Sequence, residues 1–367
     1  MNTYTGRVGI VQRVLPRYRA LFFDLLAEQC DVGLGVFAGA ARPSEYIPVA
    51  KKLEVAKWTR AENQHLFAGP FYLCIQRGLT EWLVEWEPDI LIVEANFRYL
   101  TTPAAVEIMK NRFRPVIGWG LGSPPPHGPL AGLQFRWRKR FLRQFDAMIA
   151  YSQHGAYEYQ NMGFPDNRVF VAPNAVVQRL IGQPPTHEKK DGQLTVLYVG
   201  RLQNRKRLDA LIKACAALPK EIQPRLQIVG DGPIKEYLDK FAKTSYPKTV
   251  FTGARFGEKL DQLFDQADLF VLPGTGGLAI QQAMAHGLPI IAAEGDGSQE
   301  DLVQPGNGWL IKPNDDYALQ QGLAQALSDP ARLRKMGEKS LELVRKEFNL
   351  ETMVEAFVKA INEVANG

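Results

Sequence analysis

Short apolar runs alternate with amphipathic stretches along the whole chain. In the first half, apolar runs predict buried strands at residues 8–11, 32–37, 90–94, 116–119, 147–151 and 169–171. Between them, apolar residues recur at helical spacing and predict helices at residues 18–29, 69–86, 101–112, 134–144 and 154–162. Strands that alternate with helices in this way are typical of a mostly parallel sheet in an α/β domain.

The second half repeats this alternation. Strands are predicted at residues 195–200, 226–230, 249–252, 268–272 and 289–293, and two or three amphipathic helices are predicted within residues 316–365. Residues 182–191, GQPPTHEKKD, are polar and contain a proline pair, so they form the predicted linker. We therefore predict one domain at residues 1–181, a second at residues 192–347, and a final helical segment at residues 348–367.

Length and composition agree with two α/β domains. A chain of 367 residues with 46% hydrophobic residues can build two cores of ordinary size. Cys30, Cys74 and Cys215 show neither disulfide nor zinc spacing, which favours a reducing compartment. The chain runs into its first strand without a signal peptide, and no apolar run reaches the ~20 residues of a membrane span. We therefore expect a soluble, cytoplasmic protein.

The sequence PGTGGLAIQQAMAHG at residues 273–287 places a glycine-rich turn between a predicted strand and a predicted helix. The N–H groups and the positive dipole end at the start of a helix favour a phosphate at such a turn. Gly274, Gly276 and Gly277 would let a ligand approach the backbone because they lack a Cβ. An ordinary tight turn would show the same pattern, so the turn alone leaves both interpretations open.

A basic loop follows the first predicted strand of the second domain. Arg201 can hold two phosphate oxygens through its planar guanidinium, and Lys206 supplies a mobile point charge. A charge run before a helix is often only a solvated surface. Ligands of open α/β sheets, however, bind at the carboxyl ends of the strands, where both side chains are predicted to lie. We therefore predict that this loop binds phosphate.

Five motifs occur in a fixed order. They are GRLQNRK at 200–206, LQIVGDGP at 226–233, VFTGARF at 250–256, ADLFVLPG at 267–274 and AMAHGLPII at 283–291. Together they resemble the C-terminal domain of the retaining glycosyltransferases of family 4, over residues 190–360. The N-terminal half is similar in pattern only, through residues 148–176. The resemblance implies the GT-B fold, in which two Rossmann-like domains face each other across a cleft and the last helix crosses back onto the N-terminal domain.

The same resemblance implies a transferase that moves a sugar from a UDP- or GDP-linked donor to an acceptor hydroxyl, with retention of configuration. Arg201 and Lys206 would be its catalytic residues, because they would stabilise the negative charge on the departing diphosphate. Two cations and a helix dipole would take the place of a metal ion, so neither metal nor cofactor is expected. The acceptor would be a glycan or a lipid-linked glycan in bacterial polysaccharide synthesis.

The implied donor-binding residues lie in or just after loops that follow predicted strands of the second domain. They are Gly232, Arg255, Gly274, Thr275, Gly276, Gly277, Leu278, Gln282 and Glu294. Arg255 is either a residue that stacks on the nucleobase or an ordinary surface arginine, and Glu294 is a candidate substitute for a sugar-facing carboxylate. The acceptor side is assigned to four residues of the first domain. They are Arg17, Asn96, Arg98 and His127.

The sequence departs from the family pattern at three places. Two glutamates of the family, separated by seven residues, fall on Gly274 and Gln282 when the chains are aligned on AMAHGLP. The first normally faces the transferred sugar and the second accepts hydrogen bonds from the ribose; a glutamine can still accept, but without charge. A histidine that often follows the strand at 114–119 is also missing. These departures leave open a nucleotide-sugar-binding scaffold without transferase activity and, as a weaker match, an epimerase on the same fold.

The net charge of +5 is unevenly distributed, and its densest basic cluster is RWRKRFLR at Arg136–Arg143. At helical spacing, one apolar face would be formed by Phe135, Phe141, Leu142 and Phe145. Such a helix either packs against its own domain with a solvated basic side, or docks on the anionic lipid of an inner membrane face. No nucleic-acid-binding motif occurs and the basic patch is not continuous, so no nucleic-acid partner is expected.

Overall fold

The computed structural model describes residues 3–45, 47–126, 128, 131–180 and 192–366. The chain divides into two compact units, of which the first comprises Met1–Val176 and Leu350–Gly367 and the second Val177–Asn349. The predicted linker at residues 182–191 lies outside the described residues. Each unit contains one parallel sheet with helices around it, so the chain consists of two Rossmann-like domains.

Among its described residues, the first unit has nine strands and five α-helices before residue 177. The strands are β1 (Arg7–Val14), β2 (Gly33–Gly39), β3 (Lys57–Arg60), β4 (Glu62–Leu66), β5 (Leu73–Arg77), β6 (Ile90–Glu94), β7 (Val116–Gly120), β8 (Ala147–Ala150) and β9 (Val169–Val171). The helices are α1 (Ala20–Ala27), α2 (Leu79–Trp86), α3 (Thr102–Asn111), α4 (Ala131–Leu142) and α5 (Gln153–Asn161). Seven strands form a parallel sheet in the order β3-β2-β1-β6-β7-β8-β9. Its central strands β1 and β6 are buried along most of their length because both faces of a parallel sheet are covered.

The predicted helix at residues 69–86 is wrong in its first half. Gly69–Phe71 form a short 3-10 helix, Leu73–Arg77 form β5, which pairs antiparallel with β4, and the α-helix is confined to Leu79–Trp86. Burial alternates along β5, as expected of a strand, and Gly78 adopts a left-handed conformation (φ 81°) just before the helix begins. Strand β5 is defined by its pairing with β4, for example His65 with Cys74. The periodicity of apolar residues within one segment does not record pairing with another segment, so it could not predict this strand.

In the part of the second unit that the structure describes, there are six strands and seven α-helices. The strands are β10 (Thr195–Val199), β11 (Arg225–Val229), β12 (Thr249–Gly253), β13 (Leu269–Leu272), β14 (Ile290–Ala293) and β15 (Gly308–Ile311). The helices are α6 (Leu208–Ala216), α7 (Lys235–Ser245), α8 (Glu258–Asp265), α9 (Leu278–Ala285), α10 (Ser298–Leu302), α11 (Asp316–Leu327) and α12 (Pro330–Lys346). The sheet is parallel, in the order β12-β11-β10-β13-β14-β15. Strands β3 and β15, which the sequence pattern missed, lie at sheet edges.

The last helix, α13 (Leu350–Ala365), packs on the first unit, as the predicted fold class requires. Phe357 lies edge-on to Phe22 and to Trp119, with ring centroids 4.9 Å apart in both pairs. All three rings are buried, so this aromatic cluster holds the end of the chain in the core of the N-terminal unit. Within the described part of the chain, no helix has the length and apolar character needed to cross a membrane.

Strand order reverses once in each sheet. In the first sheet the reversal lies between β1 and β6, and in the second it lies between β10 and β13. The carboxyl ends of parallel strands meet at one edge, and the loops on either side of the reversal leave a crevice where ligands of open α/β sheets bind. The fold therefore points to the loops after β10 and β13 in the second unit, and to those after β1 and β6 in the first.

Candidate functional site

Two loops meet at the strand-order reversal of the second unit. Strands β10 and β13 are parallel neighbours, with Val196 opposite Leu269, so residues 200–207 and residues 273–277 leave the sheet at the same edge. The first loop carries Arg201 and Lys206, and the second is the glycine turn that leads into α9. The fold thus brings together the two segments that the sequence assigned to phosphate binding.

Lys206 is a buried cation at the centre of this junction. Its side chain is 8% exposed, and Nζ donates a hydrogen bond to the carbonyl oxygen of Thr275 in the glycine turn. Burial lowers the pKa of the Lys206 ammonium to about 8; the nearby Arg205 also lowers it, whereas Asp296 opposes the shift. An ammonium has three donor positions, so the bond to Thr275 leaves capacity for the oxygens of an anion.

Gly274 packs directly against the backbone that carries the lysine. A Cβ at this position would lie 2.1 Å from the carbonyl oxygen of Arg205 and 2.7 Å from the Cα of Lys206. Both atoms belong to the main chain and cannot rotate away, so no side chain fits here while the two loops keep this contact. The family's sugar-facing glutamate therefore has no space at position 274 in this structure.

Arg205 is a contact residue that the sequence pattern did not single out. Its guanidinium donates to the hydroxyl of Thr275 at 2.7 Å, and its carbonyl oxygen accepts the Thr275 N–H at 3.4 Å. Together with Lys206, it fastens the basic loop to the glycine turn. A second basic residue one position before the predicted lysine was the only indication in the sequence, and it looked like part of an ordinary charge run.

The far side of the glycine turn is held by the start of α10, the helix that follows β14. Gln299 is fully buried; its amide nitrogen donates to the Gly276 carbonyl oxygen at 2.5 Å, and its amide oxygen accepts the Asp296 N–H at 3.0 Å. Gly276 has φ +145°, and a Cβ there would lie 2.6 Å from the Lys206 ammonium. A Cβ at Gly277 would lie 2.9 Å from the Ser298 hydroxyl. An added Cβ would therefore contact a different group at each of the three glycines of the turn.

Helix α9 begins at Leu278, immediately after Gly277. The first N–H groups of a helix lack acceptors within it, and they carry the positive end of the helix dipole. At this junction that end of α9 lies beside the Lys206 ammonium, whose nitrogen approaches Gly276. The arrangement can stabilise a phosphate or diphosphate.

Gly232 and Gly230 serve contacts within the protein. A Cβ at Gly232 would lie 2.2 Å from the Leu202 carbonyl oxygen, and one at Gly230 would lie 1.9 Å from the Gly200 carbonyl oxygen. The N–H of Leu202 also donates to the Asp231 carbonyl oxygen at 2.9 Å. These contacts press the loop after β11 against the loop that carries Arg201 and Lys206. Gly232 was predicted as a donor contact, and the structure gives it this packing contact.

The remaining predicted donor residues lie after strands of the same sheet or on helix α9. Arg201 is half-buried in the loop after β10, and Gln282 is half-buried on α9. Arg255 is exposed after the edge strand β12, where its guanidinium donates to the Ala254 carbonyl oxygen at 3.2 Å. Glu294 is half-buried after β14, but the carboxylate whose charge acts on the Lys206 ammonium is Asp296, two residues further on.

In the first unit, Arg17 follows β1 and both Asn96 and Arg98 follow β6, so they flank the strand-order reversal there. Arg17 is exposed. Asn96 is half-buried and accepts the Arg98 N–H through its side-chain oxygen at 3.1 Å. His127, the fourth predicted acceptor residue, lies outside the described residues. The structure therefore places three of the four at one edge of the first sheet.

The same edge holds a charged network that sequence reasoning missed. The last residue of β6, Glu94, accepts the backbone N–H of Arg13 at 2.9 Å, while the Arg13 guanidinium donates to Glu45, also at 2.9 Å. Burial raises the pKa of the Glu94 carboxyl, although its contacts with Arg13 and with the Tyr99 hydroxyl oppose that shift. A glutamate that ends an otherwise apolar strand was the available indication. This network adds ionisable groups to the proposed acceptor side.

Among the residues described here, no group of three or more histidine, cysteine, aspartate or glutamate side chains is placed to hold a metal ion. The positive charge at the junction of the second unit comes from Arg205, Lys206 and the start of α9. The chemistry available at the junction is therefore electrostatic stabilisation of an anion by fixed cations and backbone dipoles.

Two family models match the chain, one in each half. The model described as "Glycosyl transferases group 1" matches residues 183–342, and the model described as "Glycosyltransferase Family 4" matches residues 27–178. The chain is 27% identical over 228 residues to the putative colanic acid biosynthesis glycosyltransferase WcaL of Escherichia coli K12, covering 59% of this chain and 56% of that protein. It is 29% identical over 278 residues to a GDP-mannose-dependent alpha-mannosyltransferase of Corynebacterium glutamicum, covering 71% of this chain and 64% of that protein. The match spans less than two thirds of the length of both relatives.

Solved structures share the fold over nearly the whole chain. Anabaena HepE in complex with UDP superimposes with a TM-score of 0.72 at 17% identity, covering 98% of this chain and 100% of that one. Sucrose-phosphate synthase of Thermosynechococcus elongatus superimposes with a TM-score of 0.73 at 19% identity, covering 98% and 99%. At this level of identity the likeness establishes the fold alone. With one family model matched to each half and the same two-domain fold throughout, the chain belongs to the group 1, family 4 glycosyltransferases of the GT-B fold.

Proposed function

We propose that this protein transfers a sugar from a nucleotide diphosphate donor, UDP- or GDP-linked, to an acceptor hydroxyl with retention of configuration and without a metal ion. The observation that carries the proposal is the buried Lys206 ammonium, bonded to the Thr275 carbonyl beside the start of α9. A cation held in this way, at the strand-order reversal of an α/β sheet, suits the phosphates of a nucleotide.

In the proposed reaction, the bond between the anomeric carbon and the donor's diphosphate oxygen breaks, and the diphosphate leaves with its electron pair. Lys206 and Arg201 stabilise the negative charge that develops on that oxygen, and the amides of Gly276, Gly277 and Leu278 add hydrogen bonds from the start of α9. Fixed donors of this kind need no reorganisation during the reaction, which is the source of their catalytic effect. The acceptor hydroxyl forms the new bond on the same face of the sugar, and its proton passes to the departing diphosphate oxygen.

We assign the remaining roles by position. Gln282 on α9 accepts from the ribose hydroxyls, and Arg255 reaches the nucleobase. Asp296, whose charge acts on Lys206, joins Glu294 as a candidate for the sugar hydroxyls. The acceptor, a glycan or lipid-linked glycan, binds the first unit near Arg17, Asn96 and Arg98. The three cysteines are unpaired and buried, which fits a reducing compartment, and we place the protein in the cytoplasm.

Transfer is tested by incubating the purified protein with UDP- and GDP-sugars, with and without a lipid extract, and measuring donor loss and the anomeric configuration of the product. Arg201→Ala and Lys206→Ala should each lower kcat/KM by the equivalent of about 2–4 kcal/mol. Lys206→Met, which keeps the buried stem, separates loss of charge from loss of packing. Arg334→Ala, an exposed arginine on α12, is the control for surface charge. Near wild-type turnover in both alanine variants would contradict the assignment.

The close packing at Gly274 favours a second candidate, a protein that binds the nucleotide sugar without transferring it. The two loops leave no space for the sugar-facing glutamate of the family, and Gln282 brings no charge to the ribose position. Donor binding without hydrolysis or transfer, across the whole panel of sugars and lipid extracts, would support this scaffold and refute the transferase.

A further inference from the structure

Helix α4 is poorly packed for an element of an α/β domain. The structure describes all twelve of its residues. Of these, Leu142 is buried and the other eleven are exposed or half-buried. The predicted apolar face is only partly correct: Phe141 and Phe145 pack edge-on 5.2 Å apart and join Leu142 at the core, but Phe135 remains exposed. The carboxyl end of α4 therefore anchors the helix, and its first two turns have no core contact to account for their apolar residues.

One face of α4 combines apolar and cationic side chains, and all of them are exposed. Leu133, Arg136, Trp137 and Arg140 follow the spacing i, i+3, i+4, i+7, which places them on one side of a helix. Leu133 is 52% exposed and Trp137 is 71% exposed. We refer to these four residues as the docking face.

Arg138 connects α4 to loops at the carboxyl edge of the sheet. Its guanidinium lies 5.6 Å from the ring centroid of Phe97, after β6, and donates to the Pro124 carbonyl oxygen at 2.7 Å, after β7. Phe97 and Leu121 in these loops are 47% and 49% exposed. At about 100° per residue Arg138 lies on the side of α4 turned away from the docking face, so it ties the helix to the edge of the sheet where the acceptor residues lie and leaves the docking face free of that contact.

The segment of the chain that carries the docking face has charge of a single sign. Residues 108–145 contain eight lysines and arginines and no aspartate or glutamate. A second copy of this chain, paired symmetrically through the docking face, would place Arg136 and Arg140 against the same arginines with no carboxylate from the face to neutralise them. An anionic bilayer instead offers negative charge to the arginines and an apolar interior to leucine and tryptophan, which favour the membrane boundary.

We propose that the docking face binds the surface of an anionic lipid bilayer, with Leu133 and Trp137 inserted at the headgroup boundary and Arg136 and Arg140 among the lipid phosphates. The proposal goes beyond the transfer reaction. Docking through α4 would hold the carboxyl edge of the first sheet close to the membrane, where a lipid-linked acceptor would be presented. The test measures binding to lipid and not turnover, so it can fail while the transferase stands, and the reverse is also true.

The experiment measures sedimentation of the full chain with vesicles of phosphatidylcholine alone and of phosphatidylcholine mixed with phosphatidylglycerol. Binding should require phosphatidylglycerol and should weaken as salt screens the charges. Each cation near an anionic surface contributes a factor of about five, so Arg136→Gln with Arg140→Gln should weaken binding by about thirtyfold. Leu133→Ser with Trp137→Ser should weaken it further at high salt, where insertion dominates.

Two sets of control variants remove the same kinds of exposed side chain, cationic and aromatic, from the second unit. Arg334→Gln with Lys335→Gln removes two exposed cations from α12, and Tyr317→Ser removes a 72% exposed aromatic side chain from α11. Both controls should bind vesicles like the wild type, and all variants should unfold at the wild-type temperature because the altered side chains are exposed. Equal binding to both vesicle types, or docking-face variants that bind like the controls, would overturn the proposal. So would a face that binds RNA or a second copy of the chain and leaves vesicles unbound.

Discussion

A single methyl group at position 274 should displace the lysine loop. In Gly274→Ala, the new Cβ would begin 2.1 Å from the Arg205 carbonyl oxygen and 2.8 Å from the Lys206 carbonyl carbon, so main chain must move by about an ångström to restore ordinary contact. The movement pulls Lys206 away from the Thr275 carbonyl. We therefore expect Gly274→Ala to lose donor binding although alanine brings neither charge nor length.

The magnitude follows from overpacking in a closed site. Backbone shifts of this kind cost about 1–3 kcal/mol of the free energy of unfolding. For a unit of this size, each kcal/mol corresponds to a melting temperature lower by about 2–4 °C, so the expected decrease is about 2–12 °C. Donor affinity should decrease at least about tenfold, because loss of one charge-assisted hydrogen bond is worth about 1.5–3 kcal/mol.

The assay is thermal unfolding together with calorimetric titration of UDP and GDP, for wild type, Gly274→Ala and Gly274→Glu. Gly322→Ala is the matched control, because it lies within α11 of the same unit and its Cβ would lie 3.6 Å from Ile291, an ordinary contact. Both Gly274 variants should be impaired to a similar degree, and the control should be neutral or slightly stabilised. If Gly274→Ala keeps wild-type stability and donor affinity while Gly274→Glu does not, the harm comes from the carboxylate and the packing argument is refuted.

Four further predictions concern the same site. Because burial lowers the pKa of Lys206 from 10.5 to about 8, its charge is present below pH 8 and lost above it; donor affinity should therefore fall as pH rises through 8 in wild type, and Lys206→Met should show no such break. The same lysine destabilises the folded state while it is charged. The free energy of unfolding of the wild type should therefore rise between pH 8 and 10.5 relative to that of Lys206→Met, as denaturant unfolding of both proteins across this pH range would show. Gln282→Glu should keep donor affinity within about tenfold of wild type, since the two side chains have nearly the same shape; a loss of a hundredfold in the same titration would remove Gln282 from the ribose position. Transfer should continue in excess EDTA, and activity that EDTA abolishes and magnesium or manganese restores would point to a carboxylate site, with Asp296 and Glu294 examined first.

The sequence predicts the strands of the second unit to within about two residues because each central strand is a short apolar run. Strand β13, for example, is Leu269–Leu272, all four residues of which are buried. The edge strands β3 and β15 were missed because a strand with one neighbour keeps exposed or half-buried positions and does not form an apolar run. The hairpin β4–β5 was missed because its stability comes from pairing across a loop, which no local period records.

The location of the candidate site was predictable because it depends on topology and not on detailed contacts. Arg201 and Lys206 follow a strand, the glycine turn follows another, and the strand order makes the two neighbours. The contacts between them were not predictable. Arg205 and Thr275 are 70 positions apart, and Gln299 and Gly276 are 23 apart, so their pairing is visible only once the chain has folded.

The glycines of the turn show that residues of one motif can have different structural roles. The pattern around Gly274 and Gly276 suggests one role, close approach of a ligand, but the structure gives each glycine its own constraint. At Gly274 the obstacle is the backbone of residues 205 and 206, and at Gly276 it is a φ of +145° together with the Lys206 ammonium. Replacement of the family's glutamate by glycine is therefore coupled to the packing of the lysine loop. Restoring the glutamate alone should not restore its function.

The coupling between Gly274 and Lys206 bears on the choice between a transferase and a scaffold. A buried ammonium with a lowered pKa destabilises the folded protein unless an anion neutralises it. The Thr275 carbonyl supplies a dipole and no charge, and the Asp296 carboxylate opposes the lowering of the pKa without cancelling it. The site is thus arranged to gain from a phosphate, which both candidates require. A scaffold needs Lys206 to stabilise only the phosphates of the bound donor. A transferase needs this electrostatic stabilisation to increase in the transition state, as negative charge develops on the leaving oxygen. Lys206→Met tests this difference: in a scaffold it lowers donor affinity and there is no transfer to lose, whereas in a transferase it should lower kcat/KM by more than it lowers donor affinity.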